Sequence, residues 1–129
     1  MTKASGPRVF VYARSSLQDR ERHALSIRQQ VRSTRFWLNE HQAELVCIFV
    51  EHGPLLDIRC RPVVTSMLDL IRSAAAPADT ILVDLPQRIS RYFPEYVGVR
   101  AELGALGIRL IATDDLHGHR LREAIAPAG

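Results

Sequence analysis

Apolar and polar positions alternate in blocks along the chain, and the blocks predict the order βαβαβαβ. Four short apolar runs, Val9 to Ala13, Leu45 to Val50, Thr80 to Val83 and Ile108 to Ala112, have the length and β-branched content of buried strands. Between them the period lengthens. Ile27, Val31, Thr34 and Leu38 recur at i, i+4, i+7 and i+11, which predicts one face of a helix over about residues 25–41. Val64, Met67, Leu68 and Ile71 repeat the pattern after Pro62, whose fixed φ suits a first helical turn. A third helix is predicted from about Pro94 to Leu106, with Val99, Leu103 and Leu106 inward and Gly107 as its stop. The tail can form one short helix from about Leu116 before an Ala, Pro and Gly end that is expected to fray.

This order favours an α/β domain of three layers, a mainly parallel sheet with helices on both faces. In open α/β sheets the chemistry lies beyond the carboxyl ends of the strands, so the residues that follow each run are expected to converge. They are Arg14, Ser15 and Ser16 after the first run and Glu51 and His52 after the second; Gln87, Arg88 and Arg91 follow the third, and Asp114 and Asp115 the fourth. Three arginines and a serine pair then share one rim.

Length and composition set bounds on this picture. The 129 residues fit one domain, and 47% hydrophobic with 24% charged residues is neither a disordered nor a collagen-like balance. No run reaches the roughly 18 apolar residues of a membrane span. The start, MTKASGPRV, lacks the apolar core of a secretory signal, so a soluble, cytoplasmic protein is expected. Cys47 and Cys60 form neither a CxxC pair nor a disulfide framework, and Cys47 is expected as a reduced, buried thiol.

Charge adds more. Lys3 is the only lysine among 17 basic residues, and the first 40 positions carry net +5 while the rest carry −2. Arginine presents a planar, bidentate donor set suited to phosphate, although a codon-composition bias would leave the same excess. A basic N-terminal third permits a phosphate-bearing partner.

A hydroxyl beside several guanidinium groups suits phosphoryl transfer, because arginine stabilises charge on the non-bridging oxygens while serine attacks phosphorus. Spacing alone favours the other reading, in which Ser15 and Ser16 cap or turn the chain after a strand. Other site types lack their residues. The chain has no GxxxxGK[ST] or GxGxxG loop and no GxSxG elbow, and His117 and His119 stand without a partnering Cys or HExxH, so neither a cofactor nor a metal is expected. Arg14 and Ser15 occupy the positions where a receiver domain carries acids.

RVFVYARSS (Arg8 to Ser16), LSIRQQ (Leu25 to Gln30), the turn Glu51 to Gly53, CRP (Cys60 to Pro62) and QRISR (Gln87 to Arg91) occur in one order. In that order and approximate spacing the chain resembles the catalytic domain of serine recombinases, the resolvase/invertase family, over about residues 7–116. The resemblance implies site-specific DNA recombination: the serine of YARxS attacks a DNA phosphate, forms a 5′-phosphoserine linkage and frees a 3′ hydroxyl, without metal or nucleotide. It makes Ser16 the nucleophile and Ser15 the variable residue before it. It gives Arg14, Arg88 and Arg91 to the scissile phosphate, and makes Gln30, Arg61, Gln87 and Glu51 residues that bind the phosphate or order the site. For Arg61 an exposed arginine at a helix start is an equal alternative.

Departures bear on activity. Gln87 stands where the family's DRLxR motif has an aspartate, and it can neither ionise nor transfer a proton. Glu51 replaces a usual aspartate. Leu55 and Leu56 replace the serine and second glycine of a D-x-G-x-S-G turn that Pro54 stiffens. The expected division is a flexible N-terminus (1–6), a catalytic domain (7–116) and a truncated helix stub or tail (117–129) in place of the long dimerising helix that the resemblance implies. The expected partners are DNA and a second copy, the latter weakly held. The alternative is a non-catalytic recombinase-like module that associates with DNA or protein.

Overall fold

The computed structural model describes residues 6–54, 57–73 and 77–114. Leu55, Leu56, Asp115, His117, His119, residues 1–5 and the helix expected from Leu116 lie outside the described residues. Four strands alternate with three helices: β1 (Arg8–Ser15), α1 (Arg20–Glu40), β2 (Glu44–His52), α2 (Pro62–Arg72), β3 (Thr80–Val83), α3 (Phe93–Ala105) and β4 (Arg109–Ala112). Single 3₁₀ turns at Ile58–Cys60 and Pro86–Arg88 precede α2 and follow β3. Every strand pair is parallel, in the order β2-β1-β3-β4, as the βα alternation predicts.

Period-2 alternation on the inner strands divides the core in two. Val9 and Val11 of β1 and Leu82 of β3 face α1, where Trp37 closes the layer with Val31, Leu38 and Ile111. Phe10, Tyr12, Ile81, Val83 and Leu110 face the other way, against Val64, Met67, Leu68 and Ile71 of α2 and Tyr96 and Leu103 of α3. A sheet buried on both faces needs inner strands apolar at nearly every position, and β1 and β3 meet that requirement.

β2 departs from the expectation of a buried strand. It lies at the sheet edge, and although Val46 and Phe49 pack on the core, Leu45, Ile48 and Val50 are exposed. Cys47 is exposed too, so the expected buried thiol is corrected. An apolar run does not distinguish an inner strand from an edge strand with a neighbour on one side only.

Helix limits follow local chemistry. α1 starts at Arg20, ahead of its first apolar residue, because the Asp19 carboxylate accepts the Glu21 N–H at 3.0 Å as an N-cap. Pro62 opens α2 as the sequence predicts. α3 ends where Ile108 N–H bonds Leu103 C=O and Gly107 N–H bonds Gly104 C=O, a closure that needs Gly107 at φ +82°. Leu106, expected inward, is exposed because it is the cap residue beyond the last turn.

Candidate functional site

The site begins at the end of β1. Buried backbone groups need partners, and Arg14 finds both of its own on one side chain. Gln30 of α1 accepts the Arg14 N–H at 3.0 Å, donates to Arg14 C=O at 2.9 Å and donates to Ser26 Oγ at 3.1 Å. At 2% exposure, this glutamine extends the sheet's hydrogen bonding where no strand continues it. It thereby orders the end of the strand that carries Arg14 and leads into Ser16.

Arg14 is buried, and its guanidinium donates through Nη1 to Gly53 C=O at 2.7 Å. Gly53 N–H in turn bonds Ser15 C=O at 3.0 Å, and its φ of +151° requires glycine. Arg14 Nε is buried with no acceptor. Burial lowers the Arg14 pKa from its ordinary value, and the charges of Arg61, Arg88 and Arg91 act in the same direction against the opposing influence of Tyr12. A guanidinium in this setting favours an added anion.

The two serines separate. Ser15 is buried, and its Oγ accepts the Leu17 N–H at 3.1 Å, closing the turn that leaves β1. Ser16 is exposed on a cleft of about 630 Å³ that it shares with Arg14, Arg91, Ser90 and Tyr92. Two acids that the sequence analysis did not single out, Asp57 and Glu95, line the same cleft. Asp57 is held below the usual carboxylate range by the Arg59 N–H and guanidinium, so it stays charged. Among the described residues no three His, Cys, Asp or Glu side chains gather in a way that could hold a metal ion.

Glu51 and Arg61 lie behind the cleft and form its frame. Glu51, buried at the end of β2, accepts Val63 N–H at 2.9 Å, Val64 N–H at 3.1 Å and the Tyr12 hydroxyl at 2.6 Å. Arg61 is the N-cap of α2 and makes no side-chain cap bond, so a carboxylate from the neighbouring strand satisfies the helix's free N–H groups and meets its positive end. Burial raises the Tyr12 pKa above its ordinary value, and the bond to Glu51 adds to this, so the phenol remains a donor. Arg61 is not the exposed arginine of the alternative reading: at 2% exposure it donates to Tyr12 Oη at 3.3 Å, to Arg88 C=O at 2.8 Å and to Ile89 C=O. It thereby fixes the turn that carries Arg88 and Arg91.

The three arginines of the expected rim divide. Arg91 is exposed on the cleft with Arg14. Arg88 instead forms a fork with Asp84, Nε to Oδ1 at 2.8 Å and Nη2 to Oδ2 at 3.1 Å. Gln87 is exposed. Sequence reasoning missed Asp84, whose signal was an aspartate ending an apolar strand four residues before an arginine. It also missed His23, whose ring packs 4.1 Å from that of His52, while His52 Nε2 donates to Leu17 C=O at 2.7 Å, next to Ser16. Asp114, expected on the rim, donates its backbone N–H to Asp84 C=O at 2.8 Å.

Similarity to known proteins accords with this geometry. A family model described as the resolvase N-terminal domain matches residues 9–124. The catalytic domain of TP901-1 integrase aligns with a TM-score of 0.69 at 18% identity, covering 84% of this chain and 78% of that one. A resolvase family site-specific recombinase from Streptococcus pneumoniae gives 0.68 at 18% identity over 84% and 73%. The catalytic domain of ISC1926 TnpA, an IS607-like serine recombinase, gives 0.68 at 15% identity over 82% and 67%. At these identities the solved structures share the fold. No curated protein matches the chain significantly.

Proposed function

Because the chain belongs to the resolvase family, through the N-terminal domain that spans residues 9–124, we propose that it is a serine-recombinase catalytic domain, residues 7–116, whose Ser16 breaks and rejoins DNA. The observation that carries this reading is one cleft shared by an exposed serine and two arginines, Ser16, Arg14 and Arg91, with a buried donor, Arg14 Nε, free for an acceptor.

Ser16 Oγ attacks a backbone phosphorus of DNA. The Oγ–P bond forms, the P–O3′ bond breaks, the serine proton is given up and the departing 3′ oxygen takes up a proton. The product is a 5′-phosphoserine and a free 3′ hydroxyl, and rejoining runs the same exchange in reverse. One phosphate ester replaces another, so no nucleotide need supply energy. Arg14 and Arg91 bind the phosphate and stabilise the charge that builds on its oxygens. Gln30, Glu51 and Arg61 hold the strand and turn that carry these groups.

DNA is the proposed partner, held through its phosphates by a chain of net charge +3, and a second copy completes a recombining assembly. Among the described residues no helix is long and apolar enough to cross a membrane. The test is incubation with supercoiled plasmid under conditions that trap cleaved DNA, followed by mass spectrometry. An adduct on Ser16 supports the reading. No adduct from folded protein, with an active relative positive in parallel, favours the non-catalytic module.

A further inference from the structure

We propose that Asp84 is a positioning residue for Arg88 and supplies, from the end of β3, the carboxylate that position 87 lacks. This rests on the function proposed above, to which it adds Arg88 as a third arginine at the DNA phosphate, the role that the resemblance implies for it.

Asp84 is 5% exposed, and its Oδ1 also accepts the Leu85 N–H at 2.8 Å, so the acid is itself fixed. Its side chain is 6% exposed and that of Arg88 24%, which removes the pair from the solvent-screened class of surface ion pairs. The fork occupies Nε and Nη2 and leaves Nη1 of Arg88 outside it. From the other side Arg61 holds the Arg88 carbonyl at 2.8 Å. Backbone and guanidinium are therefore both set before any ligand arrives. A long side chain that is already ordered gives up less conformational freedom on binding phosphate, and a bidentate fork also fixes the plane in which its remaining N–H groups point. Gln87 is exposed and uncharged.

A positioning role and a mere charge near the site predict opposite signs. Replacing Asp84 by Asn removes a negative charge and raises the net charge by one. If the acid only weakens the local field, DNA binds more tightly; if it orders Arg88, DNA binds more weakly in spite of the added charge.

The experiment measures binding of a short duplex DNA at low salt by fluorescence anisotropy, for the wild type, Asp84→Asn and Glu44→Gln. Glu44 lies at the far end of β2 in a solvent-exposed ion pair with Arg8, and its replacement reports the effect of the same rise in net charge away from the site. Asp84→Asn is expected to weaken binding about three- to tenfold, with Glu44→Gln equal to or tighter than wild type. Binding by Asp84→Asn as tight as wild type, or tighter, overturns the proposal while the proposed function stands. Wild-type protein that binds no duplex overturns both. Should Asp84→Asn not fold, the wild type decides: the Arg88 Nε–H resonance, assigned with Arg88→Lys, is expected to be protected from exchange and to shift on adding inorganic phosphate. An unprotected or unresponsive resonance overturns the proposal.

Discussion

Gln30 meets both hydrogen-bonding groups of the Arg14 backbone with a single side-chain amide, 3.0 Å to the N–H and 2.9 Å to the C=O. The end of β1 therefore depends on one residue of α1. Gln30→Ala leaves a buried donor and a buried acceptor without partners, and is expected to cost about 2–3 kcal/mol in urea unfolding. Gln30→Glu keeps the acceptor for Arg14 N–H but turns a second acceptor toward the carbonyl, so it is expected to destabilise at least as much at neutral pH.

Ser16 and Ser15 are expected to respond differently to removal of the hydroxyl. Ser16→Ala changes an exposed side chain, so stability should stay within about 0.5 kcal/mol of wild type while the covalent DNA adduct disappears. Ser15→Ala opens the turn that accepts Leu17 N–H, and is expected to lower stability while the adduct persists. An adduct that survives Ser16→Ala and is lost in Ser15→Ala would reassign the nucleophile.

Much of this arrangement was legible in the sequence, for physical reasons that differ residue by residue. The inner strands announced themselves because a sheet covered on both faces admits few polar residues, and α2 did so through Pro62 and four apolar positions that are all buried. β2 is largely exposed where its sequence predicts burial, because its run is as apolar as that of an inner strand. Gln30 is polar inside a helical stripe, and only the family motif pointed to it; its reason, the unfinished hydrogen bonding of β1, belongs to three-dimensional neighbours. Arg61 and Glu51 lie ten positions apart in the chain, and their joint role in framing α2 passes through Tyr12, which the sequence presents as one more strand residue.

That frame makes Arg61 a strong stability determinant. Arg61→Ala strips donors from the carbonyls of Arg88 and Ile89 and from the Tyr12 hydroxyl, the last two in a buried setting. A loss of about 3–5 kcal/mol is expected, as for breaking a buried charged network, with the turn at Pro86–Arg88 becoming exchange-labile by amide hydrogen exchange. Tyr12→Phe removes only the bridging hydroxyl and is expected to cost less, about 1–3 kcal/mol.

His23 gives stability a pH dependence. Desolvation of its ring lowers its pKa below the ordinary 6.5, and His52 acts in the same direction. Its Nδ1 is buried without a partner. Near and below pH 6.5 the unfolded chain therefore binds more protons than the folded one, so this contribution to stability is intact above that value and declines as the pH falls through it. Melting temperatures measured from neutral to mildly acidic pH should fall on the acid side, and His23→Leu should flatten that fall. An unchanged slope in the variant would assign the acid sensitivity to other groups.

Gln87→Asp tests whether the missing acid of the QRISR segment limits DNA cleavage. Read from the sequence alone, restoring an aspartate raises cleavage if an acid there orients the neighbouring arginine. The geometry alters that expectation. Arg88 already holds a carboxylate by two bonds, at 2.8 and 3.1 Å, so its Nε and Nη2 fork is committed to Asp84 and a second bidentate carboxylate has no such fork to meet. Position 87 is exposed, so a charge placed there is screened by water. Gln87→Asp is therefore expected to change the yield of Ser16 adduct by less than about fivefold, since an exposed pair contributes at most about 1 kcal/mol, with unfolding stability moved by no more than that. A rise of tenfold or more would mean that the acid acts on the departing 3′ oxygen, a role that Asp84, committed to Arg88 and Leu85, does not fill.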